Sequence, residues 1–189
     1  MKHFLKTVAA PVLAIVLLAA CGNAEEKKGQ TAADSTASAA THDHAAMQSE
    51  PAAASIQLKD DKLNAVYQHY VHLTQALIKG DAKEARLAGN AIETGAAAVA
   101  GGEAIKASAA KITASSDIEE QRAAYSTLSN EFISLVKKVG VNNGELYVDF
   151  CPMALNDKGG YWISNNKAIQ NPYFGDKMMT CGEVKETIQ

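Results

Sequence analysis

The chain lacks most of the features that disclose a function at sight. Its one leading apolar run, Val8 to Ala20, is about thirteen residues long and too short to cross a bilayer as a helix. It has no surplus of basic charge, with 18 Lys and Arg against 21 Asp and Glu, which removes the electropositive stripe that nucleic-acid binding requires. No glycine-rich phosphate loop, nucleophile elbow or zinc-protease spacing is present, so no enzyme is expected. Cysteine is scarce, at three residues, and the two distal ones are too far apart in sequence to form a vicinal redox pair, which leaves thiol oxidoreductase chemistry a remote third reading. The carboxylates fall on helix faces, where solvation accounts for them.

What remains is sulfur, unevenly placed. Of the four methionines after the initiator, three lie within three residues of Cys151 or Cys181: Met153 on one side, Met178 and Met179 on the other. Thiolate and thioether donors select soft metals such as Cu(I) or Ag(I) over hard cations. Cys151, Met153, Met178, Met179 and Cys181 are therefore the candidate metal ligands.

The amino terminus sets the compartment. Lys2, His3 and Lys6 precede the apolar run, which ends in Leu18-Ala19-Ala20-Cys21 and resembles a bacterial lipobox. This predicts a lipoprotein signal peptide over residues 1–20 and lipidation of Cys21, with a protein that is periplasmic and held by its lipid at the outer membrane. Without Lys2 and Lys6 the balance is 16 basic against 21 acidic residues, a net charge of −5. Residues 21–58 contain the lipidated cysteine and an Ala-, Ser-, Thr-, Gln- and Glu-rich stretch with no sustained apolar period, which predicts a disordered tether. About thirty-four such residues have a root-mean-square reach on the order of 30 Å. Within them His42, His44 and Met47 form a weak metal tract, compositional in nature and costly to order.

Residues 59–189 read as a helical-bundle domain with a sulfur-rich C-terminal cap. Leu63, Val66, Tyr67, Tyr70, Leu73, Thr74 and Leu77 recur at steps of three and four, predicting a helix over about 59–79. His69 lies at the edge of that stripe and His72 nearly opposite, so they are not a chelating pair aimed inward. His69 is kept as an outside metal candidate. Gly80 stops the helix and Asp81 to Glu84 caps the next, which runs to about Ala100 with Ala85, Ala88, Ile92, Gly95, Ala96 and Val99 inward. A short third helix spans Glu103 to Ala114 on Ile105, Ala109 and Ile112. Ser116-Asp-Ile-Glu119 has the form of a capping box and opens a helix to about Val139 on Ile118, Tyr125, Leu128, Phe132 and Leu135. Short connections favour antiparallel neighbours. The fold class is mainly α, an up-and-down antiparallel bundle of three or four helices.

After Gly140 the period falls to two at Leu146, Val148 and Phe150, a strand, and the turn residues Asn156 to Gly160 lead to Tyr161-Trp-Ile-Ser164, the return strand of a short β-hairpin. The segment from Asn171 onward reads as an irregular cap pinned by Trp162, Tyr173 and Phe174. A lone tryptophan is far more often a core anchor than a cation-π ligand, so Trp162 stays outside the ligand set.

The run Leu146-Tyr-Val-Asp-Phe-Cys-Pro-Met-Ala154, then Gly160-Tyr-Trp-Ile-Ser164, Asn171-Pro-Tyr-Phe-Gly-Asp-Lys-Met178 and Thr180-Cys-Gly-Glu-Val184 resembles an uncharacterised family of bacterial periplasmic domains. Its members occur as small lipoproteins and at the end of membrane-fusion subunits of copper and silver efflux pumps. The likeness covers about residues 59–187. It implies a helical bundle with a heavy-metal role, an efflux-pump membrane-fusion subunit as partner, and matched positions at Cys151, Met153, Met178 and Cys181. Phe150, before the first cysteine, supplies no donor.

Two readings stay open at this stage. One is a soft-metal protein that buffers Cu(I) or Ag(I) or passes it to efflux machinery. The other is an adaptor without metal, in which Cys151 and Cys181 form a disulfide in the oxidising periplasm and staple the cap by roughly 3 to 4 kcal/mol, leaving the methionines as adaptable packing.

Overall fold

The computed structural model describes residues 55–189. The expected signal peptide, the lipidated Cys21 and the His42, His44, Met47 tract lie outside those residues. Four helices follow one another, α1 (Asp61–Lys79), α2 (Ala82–Ala96), α3 (Glu103–Ala114) and α4 (Ile118–Val139), each packed on the one before it. The expected mainly α bundle is the observed fold. All seven residues of the α1 stripe are buried, as are Ile105, Ala109 and Ile112 of α3 and Tyr125, Leu128 and Phe132 of α4. Among the described residues no helix is long and apolar enough to cross a membrane.

Helix ends are set by side chains meeting the unpaired backbone donors of the first turn. Asp60 accepts from the Leu63 amide and Asp81 from the Glu84 amide, while Gly80 closes α1 in the left-handed conformation at φ 69°. The start of α4 differs from the expected box. Asp117, not Ser116, is the cap and accepts from the amides of both Glu119 and Glu120, and Ser115 supports it by accepting from the Asp117 amide and donating to Glu120. Both amides converge on one carboxylate oxygen, whose negative charge also meets the positive end of the helix dipole. Helix α2 ends at Ala96 rather than Ala100, since turns at Gly95 to Gly102 take over the backbone bonds.

Two small antiparallel sheets complete the domain. Gln57–Leu58 forms β1, paired with β2 (Val141–Asn143), so the folded part begins before residue 59, with Leu58 in the core. The second sheet has three strands in the order β4-β3-β5, where β3 is Leu146–Cys151, β4 Gly160–Ser164 and β5 Glu183–Ile188. The hairpin of β3 and β4 is as expected; β5, read as irregular from sequence, is a third strand.

The sheet is moored to the bundle through the outer edge of β4. The Ile163 amide donates to the Tyr70 hydroxyl at 3.0 Å, to which the Tyr125 hydroxyl also donates at 2.9 Å. The Ser129 hydroxyl lies 2.8 Å from that of Tyr70, and the Thr74 hydroxyl 2.7 Å from that of Tyr125. Burial raises the pKa of both tyrosines, so both stay neutral and available as donors. Around this knot the rings stack, Tyr70 on Phe132 at 4.6 Å and on Tyr125 at 5.6 Å. Arg122, almost fully buried, adds a second mooring: it donates to the Leu77 carbonyl at the end of α1, to the Pro172 carbonyl in the cap, and to Glu119.

Candidate metal centre

Strand β3 delivers Cys151 to its final position, fully buried and opposite Gly160. On its other side the pairing of Phe150 with Glu183 continues toward Gly182 and Cys181, so the antiparallel register itself carries the second cysteine to the first. Both cysteines are free, and their thiols are neighbours, with the Met153 backbone beside the Cys181 sulfur. The bond to Cys151, followed by partial burial, pushes the Cys181 thiol up to about 11.

A single buried amide holds the second cysteine in place. Asn171, fully buried, donates through its side chain to the Cys181 carbonyl at 2.8 Å and through its backbone to the Met179 carbonyl at 2.8 Å. Its side-chain oxygen accepts from the amides of Tyr173 and Phe174. The Cys181 amide closes a tight turn on the Met178 carbonyl at 3.1 Å. Asn171 therefore shapes the Met178 to Cys181 turn as a template. Sequence reasoning missed it; an Asn-Pro step marks a turn, but not which backbone groups its side chain will reach.

Aromatic packing closes the other walls. Tyr173 donates to the Tyr161 carbonyl at 2.7 Å and lies edge-on to Trp162, with ring centroids 6.0 Å apart. A β-carbon on Gly160 would come within 2.6 Å of the Tyr173 ring, and one on Gly182 within 3.0 Å of the Trp162 indole. Only glycine admits both rings at those places. Trp162 is 1 % exposed and acts as the core anchor expected of it.

Beyond Cys151 the chain takes an unusual path. Ala154–Asp157 makes one helical turn, but Leu155, Asn156 and Asp157 have φ of 56°, 58° and 61°, so the turn is left-handed. Such a run of side-chain-bearing residues costs on the order of 1 to 2 kcal/mol each, less for Asn and Asp than for Leu. No glycine announces it. It carries Met153, 46 % exposed, to the rim of a groove of about 770 Å³ bounded by α4, the turn, Tyr173 and Phe174.

Asp149 was also missed. It shares the β3 face of Cys151 by the two-residue alternation of a strand, is fully buried, and neither carboxyl oxygen has a hydrogen-bond partner. Burial pushes its pKa up to about 7.

Of the sulfur residues expected as ligands, the structure brings the Cys151 and Cys181 thiols close together and sets the Met153 backbone beside Cys181. Met178 and Met179 are half-buried in the turn leading to Cys181. His69 is exposed on α1, and His72, also exposed, meets Glu84 at 3.0 Å. Among the described residues no three His, Cys, Asp or Glu side chains are grouped to hold a metal. A soft ion here would depend on the two thiols and on thioethers, a donor set whose chemistry fits Cu(I) or Ag(I) and fits Zn²⁺ or Ca²⁺ poorly.

Residues 66–144 match the family described as Protein of unknown function (DUF3347). The match spans the bundle from the middle of the first turns of α1 through β2 and stops before either sulfur cluster. It bears out an uncharacterised domain, and does not speak to lipoproteins or efflux subunits. No curated protein and no solved structure matches the chain.

Proposed function

We propose that the protein binds a soft monovalent ion, Cu(I) or Ag(I), at Cys151 and Cys181, with the neighbouring thioethers contributing, and buffers it or passes it to efflux machinery. The observation that carries this reading is the proximity of the two free thiols across thirty residues of chain, beside the only exposed methionine of the described part. On this reading it acts as a periplasmic lipoprotein tethered through Cys21, and a membrane-fusion subunit of an efflux pump is the recipient. Two sulfurs suffice for a monovalent soft ion, whereas harder cations demand more donors.

The test is competition for Cu(I) between the reduced full chain and a chromogenic chelator. Cys151→Ser with Cys181→Ser should abolish retention of the ion, and Met178→Leu should weaken it. Unchanged affinity in the double serine variant refutes the ligand set.

The same proximity favours a second reading, since neighbouring thiols need little motion to join. In that case the cap is a disulfide-stapled adaptor surface that takes no metal. Intact mass of protein isolated from the periplasm under non-reducing conditions separates the two: a loss of two hydrogens without bound metal selects the adaptor.

A further inference from the structure

The two neighbouring thiols differ in their access to solvent. Cys151, at the end of β3, is 0 % exposed. Cys181 is half-buried, in the turn that follows the half-buried Met178 and Met179 and the exposed Thr180. A reagent arriving from outside therefore meets the Cys181 sulfur first, and reaches Cys151 only through it.

The main chain on both sides of Cys181 is held. The Asn171 side chain donates to the Cys181 carbonyl at 2.8 Å, and the Cys181 amide donates to the Met178 carbonyl at 3.1 Å. Gly182, at φ 141°, sits so close to the Phe150 carbonyl and the Trp162 indole that a β-carbon there would come within 3.0 Å of each. With the backbone fixed in this way, the Cys181 sulfur changes partner by turning about its own side-chain bonds.

We infer that Cys181 is a site of reversible exchange with a small external disulfide, and that Cys151 is the resolving thiol that turns the mixed disulfide into an internal bridge. The inference rests on the thiol proximity common to both readings above. It goes beyond the second, in which the bridge is a permanent staple. In the first step the Cys181 sulfur bonds to one sulfur of the external disulfide, whose S–S bond breaks, and the other half leaves as a thiol with the Cys181 proton. In the next step the Cys151 sulfur bonds to that of Cys181, and the second half leaves as a thiol with the Cys151 proton. The protein gives up two hydrogens with their electrons, and the external disulfide takes up both. A small thiol reverses the sequence by attacking the Cys181 sulfur. The bridged form offers no free thiol to a soft ion, so exchange at Cys181 switches the site.

The test follows the mass of the full chain carrying Cys21→Ser, which leaves Cys151 and Cys181 as its only cysteines. Reduced protein is mixed with glutathione disulfide, quenched by acid and alkylation at successive times, and mapped by peptide mass. The parent should pass to the internal bridge with little adduct remaining, and Cys151→Ala should accumulate one glutathione on Cys181. Cys181→Ser, altered at the more open position, should take up glutathione on Cys151 at least about tenfold more slowly than Cys151→Ala does on Cys181. In denaturing urea the two single variants should react alike. Equal rates in the folded variants, or an unequal pair in urea, overturn the order of access. Glutathione retained on Cys181 of the parent without a bridge overturns the resolving role of Cys151. Should Cys151→Ala fail to fold, adduct on Cys151 at early times in the parent, or Cys181→Ser taking up glutathione as fast as the parent forms its bridge, overturns the inference equally. No metal enters the assay, so its outcome is separate from that of the soft-metal reading.

Discussion

The bundle and the cap hold their shapes by different means. In α1 to α4 the stabilisation is spread over an apolar stripe repeated every three or four residues, so no one position decides the fold. The cap is held by a few groups that each carry several connections: Asn171 within it ties the Tyr173 and Phe174 amides to the Cys181 carbonyl, and from the bundle Tyr70 receives the β4 edge and Arg122 links α1 to the Pro172 carbonyl. A distributed core tolerates local change in proportion to volume, whereas a hub fails as a unit. The candidate site lies wholly on the hub-built side.

The widest contrast should come from opposing a core truncation to a hub truncation. Phe132→Ala, in the stack on Tyr70, should cost about 3 to 5 kcal/mol in a denaturant titration and lower the helix signal and the cap together. A smaller loss confined to the cap would contradict the role given to the α4 seam.

Next comes the buried carboxyl. Because the folded pKa of Asp149 is raised to about 7 from an unfolded value near 3.9, the folded state binds more protons between those limits. Its burden on stability is absent below about pH 4, grows as pH rises, and levels off above about pH 7. The total is on the order of 2 to 4 kcal/mol for a shift of that size. Asp149→Asn should flatten this slope in urea titrations at pH 4.5, 6 and 8. An unaltered slope would assign the pH dependence elsewhere.

Asn171→Ala should cost about 2 to 3 kcal/mol by stranding buried backbone groups, and more tellingly it should leave the far-ultraviolet helix signal intact while amide exchange at Cys181 accelerates. Equal acceleration throughout α1 would show that cap and bundle are one cooperative unit. The smallest effect belongs to the strained turn. Asp157→Gly relieves a left-handed residue at the expense of unfolded-chain entropy and should raise stability by less than about 1 kcal/mol; a loss would mean that the aspartate side chain has a stabilising role of its own.

The same division decides how much could be read from the chain. Periodicity found the bundle because helix burial repeats along the sequence: Leu63, Val66 and Tyr70 follow from spacing alone. It failed at β5, where Glu183 to Thr187 are exposed and only Ile188 is buried, so no apolar pattern marks a strand that exists because β3 offers it an edge. It failed at Leu155 to Asp157 because no glycine signals the positive φ. For the site, residue chemistry singled out Cys151 and Cys181, but their contact depends on a register thirty residues apart. Asn171 and Asp149 owe their importance to what surrounds them, which composition does not carry.

The chain has one tryptophan, and it lies edge-on to Tyr173 with its indole against Gly182, the residue after Cys181. The protein therefore contains its own optical reporter, whose emission is placed to register oxidation, loading or loosening at the sulfur pair without any attached dye.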